Sequence, residues 1–218
     1  MKKLLTGLFV LAFSVSMLAA EKTYDCLGFT FSVPLNYEST TGHYHYGDVD
    51  RNMTSVAFGI QGLTLYNNWV GLYSDFEIVF PLKITADVDK STNTDHDNEQ
   101  YSLDLGRSDF DRLWGMSFLI APAFRLYRNE KILVTAAPGL HLGLLYAGHQ
   151  SVFYGGLGAN VQAGISLGPK WSLIIGTDMY YDALCLELDY PDKYKEFDPI
   201  NTTRDFTVAP RIGFGYRK

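Results

Sequence analysis

From Asp205 to Lys218 the chain alternates strictly. Phe206, Val208, Pro210, Ile212, Phe214 and Tyr216 fall on one parity, and Thr207, Ala209, Arg211, Gly213, Gly215 and Arg217 on the other. Successive side chains of a strand point to opposite faces, so this pattern predicts a strand with one wholly apolar face and one face of small and charged residues. The same two-residue period recurs through the chain. It predicts strands over 24–35, 54–66, 69–82, 112–127, 131–146, 152–167, 171–183 and 205–218. The connections at 67–68, 128–130 and 168–170 are short, and three of the other four are long.

Eight strands joined alternately by short and long connections fit an antiparallel up-and-down barrel that crosses a membrane, with short periplasmic turns and long extracellular loops. A soluble ligand-binding barrel has the same strand number, but its apolar parity would face inward. About six large side chains from each of eight strands do not fit inside an eight-stranded barrel. Pointed outward, they form a lipid-facing band, and the small residues of the other parity leave room for charged groups inside.

The aromatic residues of the apolar parity fall at two heights. Tyr37, Phe80, Trp114, Tyr146, Phe153, Tyr181 and Phe206 lie at the expected outer ends of strands, and Tyr66, Trp171 and Tyr216 at the inner ends. Amphipathic rings collect at the two membrane–water interfaces. The fold class expected is therefore an all-β, eight-stranded transmembrane barrel over residues 21–218.

Composition adds a compartment. Aromatic residues make up 15% of the 218, which suits strands. The formal net charge of −6 lacks the basic footprint of a nucleic-acid binder. At the N-terminus, Lys2 and Lys3 precede an apolar core from Leu4 to Phe13 that continues weakly to Leu18, and Ala19-Ala20 precede Glu21. This reads as a signal peptide over 1–20, and the location expected is the outer membrane of a diderm bacterium. Export permits a disulfide. Cys26 and Cys185 nevertheless fall at opposite ends of the expected barrel, and a bridge needs Cα atoms within about 7 Å.

With the strand count, the connections and the aromatic closing strand in view, the chain resembles the small outer-membrane barrels of the OmpA, OmpX and OmpW type. The strand ending in Tyr216 is similar to the signal by which the barrel-assembly machinery recognises its clients, although Arg217 and Lys218 follow the aromatic here. The OmpW-like resemblance implies a narrow conduit for small hydrophobic molecules that leave sideways through the wall. Outer-membrane lipid, the assembly machinery and small hydrophobic solutes are the partners it implies. The alternative is a closed structural barrel whose extracellular loops bind host or surface partners.

Parity and height nominate Asp75, Glu77, Arg125, His141, Asp178 and Arg211 as lumen or gate residues. Asp178 and Arg211 sit on neighbouring strands, so they are the expected pair. Pro34, Pro122, Pro138 and Pro210 each remove a ladder donor, which makes them candidates for a lateral opening. Asp87, Asp89, Ser91, Asn93 and Asp95 take the oxygen spacing of a calcium loop. Thr92 replaces its glycine and Asn98 its twelfth-place glutamate, so a solvated acidic loop is expected instead, and His43 and His45 are read in the same way. His149 and Ser151 share a parity near the outer end, but a hydrolase needs an oriented third group. No catalytic residue, cofactor or resident metal is expected.

Overall fold

The computed structural model describes residues 22–43, 47–66, 68–89, 100–106, 113–147, 150–187 and 202–218. These form ten strands in chain order: β1 (Lys22–Ser32), β2 (Leu35–His43), β3 (Gly47–Tyr66), β4 (Val70–Asp89), β5 (Gln100–Gly106), β6 (Leu113–Arg128), β7 (Ile132–Ala147), β8 (Gln150–Ser166), β9 (Trp171–Glu187) and β10 (Thr202–Arg217). The signal segment 1–20, His45, His149 and most of the acidic stretch after Asp89 lie outside the described residues.

Ten strands make eight wall positions. β1 and β2 share both neighbours, β3 and β10, and keep one register through the break: Ser32 pairs with Arg211 and Leu35 with Val208. The interruption at Val33-Pro34 comes from prolines on both sides of the seam, because Pro34 and Pro210 lack an N–H. Val33 N–H still donates to the Pro210 carbonyl at 3.0 Å, and Ser55 N–H to the Pro34 carbonyl at 2.9 Å. β5 and β6 likewise both pair with β4, at its outer and inner stretches. Antiparallel pairing runs around the wall, and β10 closes the ring against β1 and β2.

The inner turns are tight. Asn68 takes a left-handed φ of 63°, a conformation asparagine tolerates better than most residues. The side chain of Asn129 accepts from the N–H groups of Lys131 and Ile132 at 2.9 and 2.6 Å, the local bonding that favours asparagine in turns. At the outer end, two expected loops are partly strand. β2 and β3 pair through the stretch read as loop 36–53, and β4 and β5 pair through 83–89 and 100–106. The stretch 36–53 is mostly polar on both parities, so the apolar half of the alternation that marks a lipid-facing strand is missing from it. The stretches 83–89 and 100–106 do alternate, in Ile84, Ala86 and Val88 and in Tyr101, Leu103 and Leu105, but they flank an acidic run that reads as loop.

The apolar parity faces out. Phe29 is 59% exposed and Leu157 65%, whereas Ala57, Leu119, Ala123 and Ala209 on the other parity are buried. Aromatic rows mark both interfaces: Phe206 pairs with Tyr37 on one side and Tyr181 on the other, and the Trp114 and Tyr146 rings lie tilted to each other with centroids 6.1 Å apart. At the inner end Trp171 and Tyr216 pack edge to face at 5.4 Å. An apolar belt between two aromatic girdles around a polar interior defines an eight-stranded outer-membrane barrel.

Candidate functional site: the lumen

The lumen is filled by the small-residue parity. Its inner half holds an apolar cluster that includes Leu63, Leu65, Tyr73, Leu119, Leu133 and Tyr180. Nearer the outer mouth lies a second cluster of Ile84, Leu113, Leu145, Tyr154 and Cys185. Leu63, Leu113, Leu119, Leu133, Leu145 and Ile174 carry this apolar character on the lumen parity, and all are buried.

Between the clusters, Arg211 on β10 is the hub. Its Nη2 lies 2.9 Å from Asp75 Oδ2, 3.2 Å from Glu77 Oε1 and 2.9 Å from Thr30 Oγ1. Its Nη1 donates to the Tyr73 hydroxyl at 2.5 Å and forms an ion pair with Asp178 Oδ2 at 2.6 Å. Asp178 sits on the neighbouring strand β9. Asp75 and Glu77 come from β4, across the lumen. Ser32 Oγ donates to Glu77 at 2.8 Å and Asn160 Nδ2 to Asp178 at 2.7 Å. The guanidinium fork supplies several donors at once, while Asp75 Oδ1 and Glu77 Oε2 have no hydrogen-bond partner among the described residues. The oxygens of Asp75, Glu77 and Asp178 lie within 4.8 Å of one another. They are donors of the kind a hard cation takes, and the Arg211 guanidinium occupies that role here.

His141 forms a second centre. Its Nδ1 lies 2.8 Å from Asp182 Oδ2, its Nε2 lies 3.0 Å from Ser117 Oγ, and its ring stacks on Tyr180 at 3.9 Å between centroids. A third group lies higher, where Arg51 contacts Glu38 and also donates to the Tyr154 hydroxyl at 2.9 Å. The Tyr154 hydroxyl donates to Glu38 at 3.0 Å, and Asn36 bridges Asp205 and Thr207 nearby.

Of the six lumen residues nominated by sequence, the structure brings four together: Asp75, Glu77, Asp178 and Arg211. His141 belongs to the adjoining centre. Arg125 is elsewhere, with its guanidinium 4.5 Å over the Trp69 ring at the inner end, because it lies only a few residues from the β6–β7 turn. Among the four prolines, Pro122, Pro138 and Pro210 are exposed on the outer face and Pro34 is buried. Sequence reasoning did not single out Ser117, Asp182, Asp205 or Tyr73. Asp182 and Asp205 share the parity of Asp178 and Arg211 on the same two strands, and that signal was sufficient to find them. Glu38 and Arg51 were out of reach because their stretch read as loop.

No protein-family model and no curated protein matches the chain. Among solved structures it is similar to Ail, the attachment invasion locus protein of Yersinia pestis, at 12% identity over 88% of this chain and 98% of that chain, with a TM-score of 0.42. It is also similar to Neisserial surface protein A (NspA), at 9% identity over 86% and 95%, with a TM-score of 0.48. The outer membrane protease OmpT from Escherichia coli gives 8% identity over 91% and 98%, with a TM-score of 0.42. The expectation that the chain is not an enzyme is corrected at this point. One of these barrels is a protease, so barrel architecture gives no ground for excluding catalysis.

Proposed function

We propose that this protein is a closed outer-membrane barrel that works at its outer surface, through strands that continue past the outer aromatic girdle. The observation that carries this reading is the Arg211 hub. A guanidinium tied to both sides of the lumen, between two apolar clusters, leaves no room for a solute to pass without breaking buried ion pairs. The conduit for small hydrophobic molecules implied by the OmpW-like resemblance is less well supported, because its path runs through that hub.

The outer extension has its own chemistry. β4 continues to Asp89, nine residues beyond Phe80, which is roughly 30 Å of strand at about 3.3 Å per residue. Asp50 on β3 stands opposite Asp87 on β4, and both are exposed. Like charges facing across a ladder are unfavourable by themselves, and they suit a partner that brings positive charge.

Planar-bilayer recordings test closure: the expected result is no steady conductance from the purified barrel, and an ohmic open state would sink the reading. Titration with a lysine-rich peptide tests the surface. Binding should weaken in Asp50→Asn/Asp87→Asn, and equal affinity for parent and variant would count against it.

A second reading rests on the centre at His141. Ser117, His141 and Asp182 have the order and spacing of nucleophile, base and orienting carboxylate, with Ser117 8%, His141 6% and Asp182 1% exposed. A fluorophosphonate probe should label the parent and not Ser117→Ala if this centre is hydrolytic. Absence of labelling in the folded parent removes the reading.

A further inference from the structure

At the periplasmic end the structure has an open-mouthed cavity of about 550 Å³ that the lumen centres do not use. Four cationic side chains line it, Arg125, Arg128, Lys131 and Arg217, against a single carboxylate, Glu130. Three of the four are already held in place. Arg125 lies over Trp69, Arg128 donates to Asn68 Oδ1 at 3.1 Å, and Arg217 donates to Ser166 Oγ at 2.7 Å and to the Gly168 carbonyl. Arg217 Nε is buried and has no hydrogen-bond partner. That donor has no protein acceptor, so it is free to meet an oxygen brought by a ligand.

The floor of the cavity is open. A Cβ built on Gly164 would meet only the Tyr24 hydroxyl at 3.8 Å and the Leu133 carbonyl at 3.9 Å. The rim is at the level of the inner girdle: Trp69 is 63% exposed there, and Leu126, next to Arg125 in the chain, is also exposed. Trp69 lines the cavity beneath Arg125 and Leu126 lies on the lipid-facing parity, so the basic cavity opens at the depth at which lipid headgroups lie.

We propose that this cavity binds the phosphate of an anionic phospholipid headgroup in the inner-facing leaflet. Guanidinium groups match phosphate geometry in forked pairs, and pre-positioned ones lose little freedom on binding. The phosphate enters between Arg217 and the β6–β7 turn, while the acyl chains stay outside against Trp69 and Leu126.

The test uses the full-length barrel, with Trp69 as its sole tryptophan (Trp114→Phe, Trp171→Phe), reconstituted in phosphatidylcholine vesicles. Brominated phosphatidylglycerol should quench Trp69 more than brominated phosphatidylcholine does at the same mole fraction. The corresponding binding preference should fall on the order of tenfold in Arg128→Gln/Lys131→Gln, whose side chains are exposed and whose loss does not threaten folding. Equal quenching by the two lipids in the parent would overturn the proposal. Gly164→Leu keeps every charge and fills the floor, so a preference that survives it would overturn the cavity in favour of diffuse surface attraction. Millimolar inorganic phosphate should leave the preference intact, and its loss at that concentration would overturn the lipid assignment in favour of free phosphate.

Discussion

Arg211 reaches Asp75 across the lumen, Nη2 to Oδ2 at 2.9 Å, although β10 and β4 are separated around the wall by the β1–β2 position and by β3. The pair is therefore a strut across the barrel as well as an ion pair. Removing the cation leaves three buried carboxylates facing one another, and breaking a buried pair in this way costs about 3–5 kcal/mol. Arg211→Ala should lower the urea midpoint for loss of the folded, fast-migrating form on unheated gels. Asp75→Asn, which removes one of three like charges and keeps a polar group, should leave that midpoint unchanged or raise it. A parent-like midpoint for Arg211→Ala would show that the hub carries no stability.

The lumen is full at the height of His141, and Gly158 reports how full. A Cβ placed there would stand 2.7 Å from Leu119 Cδ1, 3.1 Å from Tyr180 Cδ1 and 3.3 Å from His141 Cβ. The missing side chain makes room for the His141–Tyr180 stack. Gly158→Val should destabilise the barrel by about 1–3 kcal/mol, the usual cost of overpacking, and should disturb the His141 ring resonances in an NMR spectrum. Gly164→Ala serves as the control, because its Cβ meets nothing closer than 3.8 Å, and its stability should be close to that of the parent.

The wall was legible in the sequence because one physical rule, alternation, applies at every lipid-facing position. Phe206, Tyr37 and Tyr181 came out in one row for that reason. The centre was half legible. Parity and height place Asp178 beside Arg211, since neighbouring strands are fixed by chain order. They cannot place Asp75 and Glu77 against Arg211, because that meeting depends on barrel diameter and side-chain reach, which alternation does not encode. Glu38 and Arg51 escaped because they lie where β2 and β3 carry mostly polar residues on both parities, and such stretches look like loops until their hydrogen bonds are seen.

Cys26 and Cys185 give a test of height. Cys26 pairs with Arg217 at the inner end, and Cys185 pairs with Tyr154 near the outer mouth. They form no disulfide with each other, and both are buried. A water-soluble maleimide should modify neither thiol in the folded barrel and both after boiling in detergent. Rapid labelling of Cys185 in the folded protein would mean that the cluster with Leu145 and Tyr154 opens at the outer mouth. Non-reducing gels of the boiled protein should show no loop-closed species.

Pro122 on β6 faces Pro138 on β7. Pairing runs in one register from Leu113↔Ala147 to Ile120↔Leu140 and resumes at Phe124↔Ala136, and the interrupted positions set the two prolines opposite each other. Neither has an N–H, so the bonds this pair would exchange are missing from the middle of the wall. The strands nonetheless stay in contact: a Cβ on Gly139 would stand 2.1 Å from the Ile120 carbonyl and 2.5 Å from Ala121 Cβ. Replacing both prolines with valine supplies two donors to carbonyls that face hydrocarbon. A net hydrogen bond contributes about 0.5–1.5 kcal/mol, while losing each proline's restriction of the unfolded chain takes back about 0.4–1 kcal/mol. The balance is a small gain in stability, on the order of 1 kcal/mol at most. The more direct readout is hydrogen exchange. In Pro122→Val/Pro138→Val the two new amides should be protected as strongly as those of Phe118 and Phe124 on the same parity. If they exchange as fast as the turn amide of Lys131, the strands part at this height, and the side wall becomes a route for small apolar solutes despite the sealed lumen.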